Sequence, residues 1–428
     1  MLALHLAFLA LVVGTAAFFS WLDVVNVRYG ERLLAERADW VRDRFEVDDP
    51  DEIAAYDRAR TGVGLLETAT TTTLLLVVLY SGLFADAVAA LESTGLPPLA
   101  RGATLFVGAV VAAQLVSRPF DAYRTFVVEE LFEFNEQTPG LFVRDTLVQL
   151  VVGGVLVGAL GTALLAVVRT VPDLWAIGGA VLFLGFQLVM QIVYPRVIAP
   201  LFNDFEPIEA GELREAVEDV FDRAGFECEQ LYEMDASRRS SKSNAYFVGF
   251  GRTKRVVLFD TLVEQMSIEE VQAVLAHELA HWKQNHVWKG MAAGTVEIAV
   301  LLGIAQWLIG QPWLTGMFGV PGGATYAALA LALLWVAPVS QLLAPVSNRL
   351  SLRFERAADD FGAAVVDAGT MASSLSTLGG ENLANPFPHP LYETFHYDHP
   401  PIPERIRRLE DREGGASDAG GDEGATPA

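Results

Sequence analysis

The chain has 428 residues, is 52% hydrophobic and carries a formal net charge of −23. So apolar an average over this length excludes an ordinary soluble enzyme and points to a membrane protein. The acidic balance excludes nucleic-acid binding, which needs a basic face. Arginine supplies nearly all the basic charge, with lysine only at Lys242, Lys254, Lys283 and Lys289. Such a surface suits concentrated salt, where carboxylate repulsion is screened. Cys228 is the only cysteine, which leaves no internal disulfide and no cysteine-based metal cage.

Seven apolar runs are long enough to cross a bilayer, which takes about 20 residues each. They cover approximately 2–24, 66–92, 102–118, 147–169, 173–195, 291–311 and 325–346. The first lacks the positive lead of a signal peptide, since Arg28 is the first Lys or Arg, and reads as a retained helix with its N-terminus outside. Arg28, Arg32, Arg37, Arg42, Arg44, Arg58 and Arg60 follow it, whereas the next loop has only Arg101. The third loop has Arg118, Arg124 and Arg144, the sixth has no Lys or Arg, and the C-terminal part is again Arg-rich. This alternation predicts a multi-pass cell-membrane protein with its odd loops and C-terminus in the cytoplasm. Glu67 and Glu297 fall inside spans, where ionisable groups face a polar interior.

The long fifth loop reads as a cytoplasmic subdomain. Residues 209–225 follow an amphipathic helical pattern. Asn244 to Phe250 and Arg255 to Phe259 read as a β-hairpin around a Gly-Arg-Thr-Lys turn. Ser267 and Glu270 form an S-x-x-E capping box, which opens a helix carrying His277, Glu278 and His281 as H-E-x-x-H. Residues i and i+4 share a helix face, so the two histidines can hold one zinc ion. Glu278 then serves as the base that deprotonates a water made acidic by the metal. His286 lies five residues past His281, about 140° round a continuing helix, on the wrong side for a third ligand. Val287 stands where the metzincin extension would have its last histidine. The third ligand is therefore sought in SLRFERAADDFGAAV, a helical stretch past the seventh span. Glu355 can ligate zinc there, and Asp359, four residues on, can hold a ligating histidine by its other ring nitrogen. At this level a surface carboxylate loosely paired with Arg353 or Arg356 stays an open alternative for Glu355.

KSNAYFVGFGRTKRVVLFDTLVEQ, HELAHWKQNH, SLRFERAADDFGA and DHPPIPERIRRL together resemble the type I CAAX prenyl protease family, integral-membrane zinc proteases of the gluzincin kind. FNEQTPGLFVRD and YPRVIAPLFNDFEPIEAGEL are also similar to it, so the resemblance runs from about residue 20 to 410. It implies an all-α integral membrane protein: seven transmembrane helices around a large chamber, with a cytoplasmic zincin-like helical subdomain and a small β-hairpin. It implies one Zn2+ per chain on His277, His281 and Glu355. Glu278 is implied as catalytic base, with Asp359 either behind a ligand or donating a proton. His399 is implied to stabilise the oxyanion, and Arg405 to lie on the same segment, toward substrate. Asn244, Ala245 and Tyr246 would bind a peptide as an added strand.

The expected partners are a peptide or protein substrate, with or without lipid modification, and membrane lipid. The expected division is five spans with their loops over 1–195, a catalytic loop over 196–290, two spans over 291–346, a catalytic segment over 347–412 and a disordered acidic tail over 413–428. A quality-control protease without prenyl specificity and a non-catalytic membrane chamber are the competing readings.

Overall fold

A computed structural model describes residues 1–226, 230–248 and 255–420, the last eight of them as backbone alone. In the first half lie α1 (Leu2–Glu36), α2 (Ala38–Phe45), α3 (Pro50–Tyr80), α4 (Leu83–Ser93), α5 (Pro98–Tyr123), α6 (Pro139–Thr170) and α7 (Trp175–Val193). The subdomain holds β1 (Phe205–Pro207), α8 (Glu212–Ala224), β2 (Leu231–Met234), β3 (Ala245–Val248), β4 (Arg255–Phe259), α9 (Asp260–Gln265) and α10 (Ile268–Lys283). Then come α11 (His286–Ile309), α12 (Pro312–Gly316), α13 (Thr325–Val365), α14 (Ala368–Glu381), α15 (Pro390–His396) and α16 (Ile402–Gly420).

Among the described residues, seven helices are long and apolar enough to cross a membrane, as the sequence predicts. Local chemistry sets their starts. Proline stands at the first turn of α3, α5 and α6, where its missing N–H costs nothing. Asp49 caps α3 by accepting from Asp51 N at 3.0 Å, and Thr138 caps α6 by accepting from Leu141 N at 3.2 Å. The second span differs from expectation. The apolar run 66–92 is broken at Gly82, whose φ of 92° is left-handed, so the spanning helix is α3 and α4 begins after the break.

The spans form a closed ring: α1 packs on α3, α3 on α5, α5 on α6, α6 on α7, α7 on α11, α11 on α13, and α13 back on α1. An apolar core ties the ring at one end. It joins Phe8 of α1, Leu79 of α3, Leu165 of α6, Trp175 of α7, Leu308 of α11 and Tyr326 of α13. Further along the spans the interior becomes polar. Glu67 pairs with Arg124 at 3.1 Å, and Arg118 donates to Gln149 at 2.9 Å. A polar cavity of about 310 Å³ lies against Arg118, Asp121, Arg124 and Asp145. Glu67 thus has the polar interior that an ionisable group in a span requires.

The subdomain is more than a hairpin. Among the described residues its sheet has four strands in the order β1-β2-β4-β3, with β2 parallel to β4 and the other pairs antiparallel. β1 and β2 are too short to print an alternating pattern. One face of the sheet buries Val256 and Leu258 with Val217 and Phe221 of α8 and Leu275 and Leu279 of α10. The Ser267–Glu270 capping box of α10 is complete, with Glu270 N donating to Ser267 Oγ at 3.3 Å and Ser267 N to Glu270 at 3.0 Å. Two charged contacts moor the sheet to the spans: Arg239 donates to Asp145 at 2.9 Å, and Lys242 to Glu129 at 2.9 Å. The turn expected at Gly251 to Lys254, the last two residues of the first hairpin strand, Cys228 and residues 421–428 lie outside the described residues. α16 runs on to Gly420, past residue 412, where a disordered tail was expected to begin.

Candidate active site

α10 and α13 build the centre of the site. Small residues allow their close approach. Ala273, Ala276, Ala280 and Ala358 are fully buried, and a Cβ added to Gly362 of α13 would lie 3.5 Å from His277 N and 2.7 Å from Met371 Sδ. α13 is 41 residues long, about 60 Å at 1.5 Å per residue. The seventh span therefore continues without a break into the segment that carries Glu355 and Asp359.

Glu355 meets both histidines. His277 Nε2 lies 3.2 Å from Glu355 Oε2, His281 Nε2 lies 3.3 Å from Glu355 Oε1, and the two Nε2 atoms are 3.3 Å apart. These three side chains form the one candidate metal cluster among the described residues. The spacing fits zinc. Ligands about 2.0–2.1 Å from a tetrahedral ion stand about 3.3 Å from each other. Glu355 Oε2 is also buried and faces His277 Nε2 at 3.2 Å and His399 Nε2 at 3.4 Å, so the carboxylate is turned into the cluster. A carboxylate 4% exposed is not the loosely paired surface group weighed as the alternative.

A charged chain stands behind His277. His277 Nδ1 lies 3.0 Å from Asp359 Oδ1. Arg405 of α16 grips the same carboxylate through Nε at 2.9 Å and Nη2 at 2.5 Å. Asp359 is 2% exposed, with both oxygens engaged. Burial opposes charge on His277, but the bonds to Asp359 and Glu355 outweigh it and hold the imidazole up at about 9. Metal binding would then expel that proton. Burial and the neighbouring His277 lower His281 to about 4, so its ring is neutral and ready to ligate. Burial raises the Glu278 carboxyl above its ordinary range, against the pull of His277, His399 and Arg405.

His286 is placed by a feature the sequence reading missed. α10 stops at Lys283, and Asn285 turns the chain with a φ of 59°. The helix therefore does not continue, and His286 Nδ1 comes back to 3.3 Å from His281 Nδ1, stacked on Phe354 at 4.2 Å. It touches the nitrogen of His281 that faces away from Glu355, outside the cluster. His399 Nε2 lies 3.4 Å from Glu355 Oε2, and its Nδ1 lies 2.7 Å from Asp398. That bond to Asp398, set against burial, raises the His399 pKa. Asp398 was not singled out from the sequence, although it adjoins His399 in the quoted DHPP.

Two cavities meet at Glu278 and His399. One, about 840 Å³, also takes in His281, Glu297, Glu355 and Phe247. The other, about 170 Å³, is lined by Asn244, Ala245, His277 and Arg405. Arg405, expected toward substrate, thus borders the small cavity while its guanidinium is held by Asp359 and is 9% exposed as a residue. β3 is an edge strand. Phe259 N donates to Asn244 O at 3.1 Å, and the register pairs Ala245 with Leu258. Backbone direction alternates along an antiparallel pair. Asn244 and Tyr246 therefore turn their backbone groups to β4, and Ala245 and Phe247 turn theirs to the open edge. Ala245 N–H donates meanwhile to Asn244 Oδ1 at 2.8 Å.

Comparison with known proteins gives a consistent picture. The family described as CAAX prenyl protease N-terminal, five membrane helices, matches residues 34–204, and peptidase family M48 matches residues 207–413. The CAAX prenyl protease 1 homolog of Oryza sativa subsp. japonica is 36% identical over 305 residues, 71% of this chain and 72% of the relative. That of Homo sapiens is 32% identical over 340 residues, 70% and 72%. The crystal structure of S. mikatae Ste24p matches with a TM-score of 0.85 at 25% identity, covering 95% of this chain and 98% of that one.

Asp359→Asn tests the chain behind His277. It should weaken metal retention about 10- to 100-fold, the usual effect of losing a ligand's hydrogen-bond partner. Chelator competition reads this directly, and unchanged retention would remove Asp359 from that role.

Proposed function

This chain belongs to the CAAX prenyl protease family of M48 peptidases and is a metal-dependent, multi-pass membrane endopeptidase of that type; on that premise we propose how its residues share the work. The convergence of His277, His281 and Glu355 at about 3.3 Å spacing carries the reading. These three residues hold one zinc ion per chain. Bound there, zinc supplies Lewis acidity that brings a coordinated water toward neutral pKa.

Glu278 is the general base. Its carboxylate takes a proton from the attacking water and delivers it to the amide nitrogen that leaves. His399, held by Asp398, donates to the oxygen that gains charge in the transition state. Asp359 acts through His277 rather than on substrate: it accepts from Nδ1 and keeps Nε2 toward the ligand site. Arg405 fixes Asp359 in turn and borders the small cavity where substrate side chains would lie. The peptide adds to the open edge of β3 and bonds chiefly to the backbones of Ala245 and Phe247, with Asn244 Oδ1 giving up the Ala245 N–H. Tyr246 supports that strand through β4. Recognition by backbone makes side-chain preference loose and selects extended, unfolded segments, lipid-modified ones among them. Bilayer lipid surrounds the spans. The arginine distribution supports a cytoplasmic active site. In this reading 1–195 and 291–346 supply the ring, while 196–290 and 347–412 supply the catalytic parts.

Two outcomes follow. Glu278→Gln should retain about one zinc per chain and lose peptidase activity by several orders of magnitude, whereas Glu355→Ala should lose most of its zinc. Metal analysis beside a peptide assay separates these, and Glu355→Ala binding zinc like the wild type would reassign the third ligand. In a Cys228→Ser background, Gly322→Cys should react with an impermeant thiol reagent added outside intact cells, and Asp49→Cys should not. Equal labelling would reverse the orientation.

A further inference from the structure

His286 is a buried polar side chain that the proposed reaction does not use. It begins α11, the sixth span, one residue after the left-handed turn at Asn285. Its ring is held on two sides. One face stacks on Phe354 of α13, with centroids 4.2 Å apart and planes within 12° of parallel. Its Nδ1 lies 3.3 Å from His281 Nδ1, and those two rings meet edge to face at 77°. His281 needs such a partner. Its side chain is 21% exposed against 9% for His277, and it borders the larger cavity, so packing grips it less. The torsion that swings an imidazole about its Cβ–Cγ bond has broad wells. Partial packing therefore leaves open where Nε2 points. Asp359 fixes His277 at Nδ1, and the same atom of His281 faces His286.

We propose that His286 is the positioning residue for His281, an uncharged counterpart of what Asp359 does for His277. The proposal rests on the metal reading of the site and deepens it. A neutral histidine that ligates through Nε2 carries its proton on Nδ1. His281 Nδ1–H therefore donates, and His286 accepts on Nδ1 with its own proton on Nε2. That bond sets the tautomer and ring plane of His281. Its Nε2 lone pair then stays toward the point between Glu355 Oε1 and His277 Nε2, each 3.3 Å away. The two imidazoles are thus anchored from different spans: Asp359 ties the first to α13, and His286 ties the second to the start of α11. Stacking on Phe354, next to Glu355 in the chain, ties the second anchor back to α13. An uncharged acceptor suits this side of the site. Arg405 already balances Asp359, and a divalent ion would balance Glu278 and Glu355. A further carboxylate at position 286 would leave a buried charge unpaired.

The test separates the acceptor from the stacked ring, in full-length protein in detergent. His286→Phe keeps a ring to stack on Phe354 and gives up the acceptor. His286→Asn gives up the stacking and keeps an oxygen near the place of Nδ1. Zinc affinity is read by chelator competition, and the Tm of each metal-free variant is measured beside it. Affinity should fall about 10- to 100-fold in His286→Phe, the usual effect of losing a ligand's hydrogen-bond partner. His286→Asn should recover most of that loss, whichever of the two has the lower metal-free Tm. Equal loss in both variants, a greater loss in His286→Asn, or no loss in His286→Phe would overturn the proposal. So would a zinc loss that follows the metal-free Tm instead of the acceptor, since a role in packing alone predicts that order. A wild type that holds no zinc would take down the metal reading and the proposal with it. Zinc in the wild type with either variant out of order strikes the proposal alone.

Discussion

The site depends on one packing contact, that of α10 against the end of α13. Two histidines on α10 cannot hold zinc alone, and Glu355 has no buried partner without them. The contact needs small residues, and Ala276, Ala280, Ala358 and Gly362 supply them. Because α13 is a single helix from the apolar core to Asp359, the ring of spans and the candidate metal cluster form one mechanical unit. Any tilt of the seventh span would move Glu355 relative to His277 and His281. The buried chain Arg405–Asp359–His277 then holds the first imidazole against rotation. A charged pair this deep persists because each member satisfies the other; removing one would leave an unpaired buried charge.

The polar interior of the spans has the same logic. Glu67, Arg118, Arg124 and Asp145 would be costly against lipid, yet each finds a charged partner. The same charges moor the sheet, since Asp145 also receives Arg239. The edge strand that would receive substrate thus sits at a fixed height above the larger cavity.

Much of this was legible in the sequence, for physical reasons that differ by element. Long apolar runs report spans because lipid leaves the backbone no alternative to a helix. H-E-x-x-H reports a metal because its spacing is the helical period. Glu355 and Asp359 repeat that period on a second helix, so their shared face was readable; their meeting with α10 was expected from the need for a third ligand and from the family resemblance, since nothing local encodes a contact between helices so far apart in the chain. Short-range exceptions were the hidden part. Gly82 broke an apolar run that hydropathy alone reads as continuous. Asn285 adopted a left-handed turn, which moved His286 from the far side of an imagined helix to the flank of His281. β1 and β2 carry three and four residues, too few for a period of two to show. The backbone parity of β3, which directs Ala245 and Phe247 outward, depends on register with β4 and is invisible without it.

The central claim is that two imidazoles and one carboxylate from α10 and α13 hold a single zinc. X-ray absorption at the zinc edge of the purified protein tests it most directly. The account predicts a first shell of nitrogen and oxygen at about 2.0–2.1 Å, with the multiple scattering of two imidazole rings and no sulfur. A sulfur shell at about 2.3 Å, or the signature of fewer than two imidazoles, would contradict it.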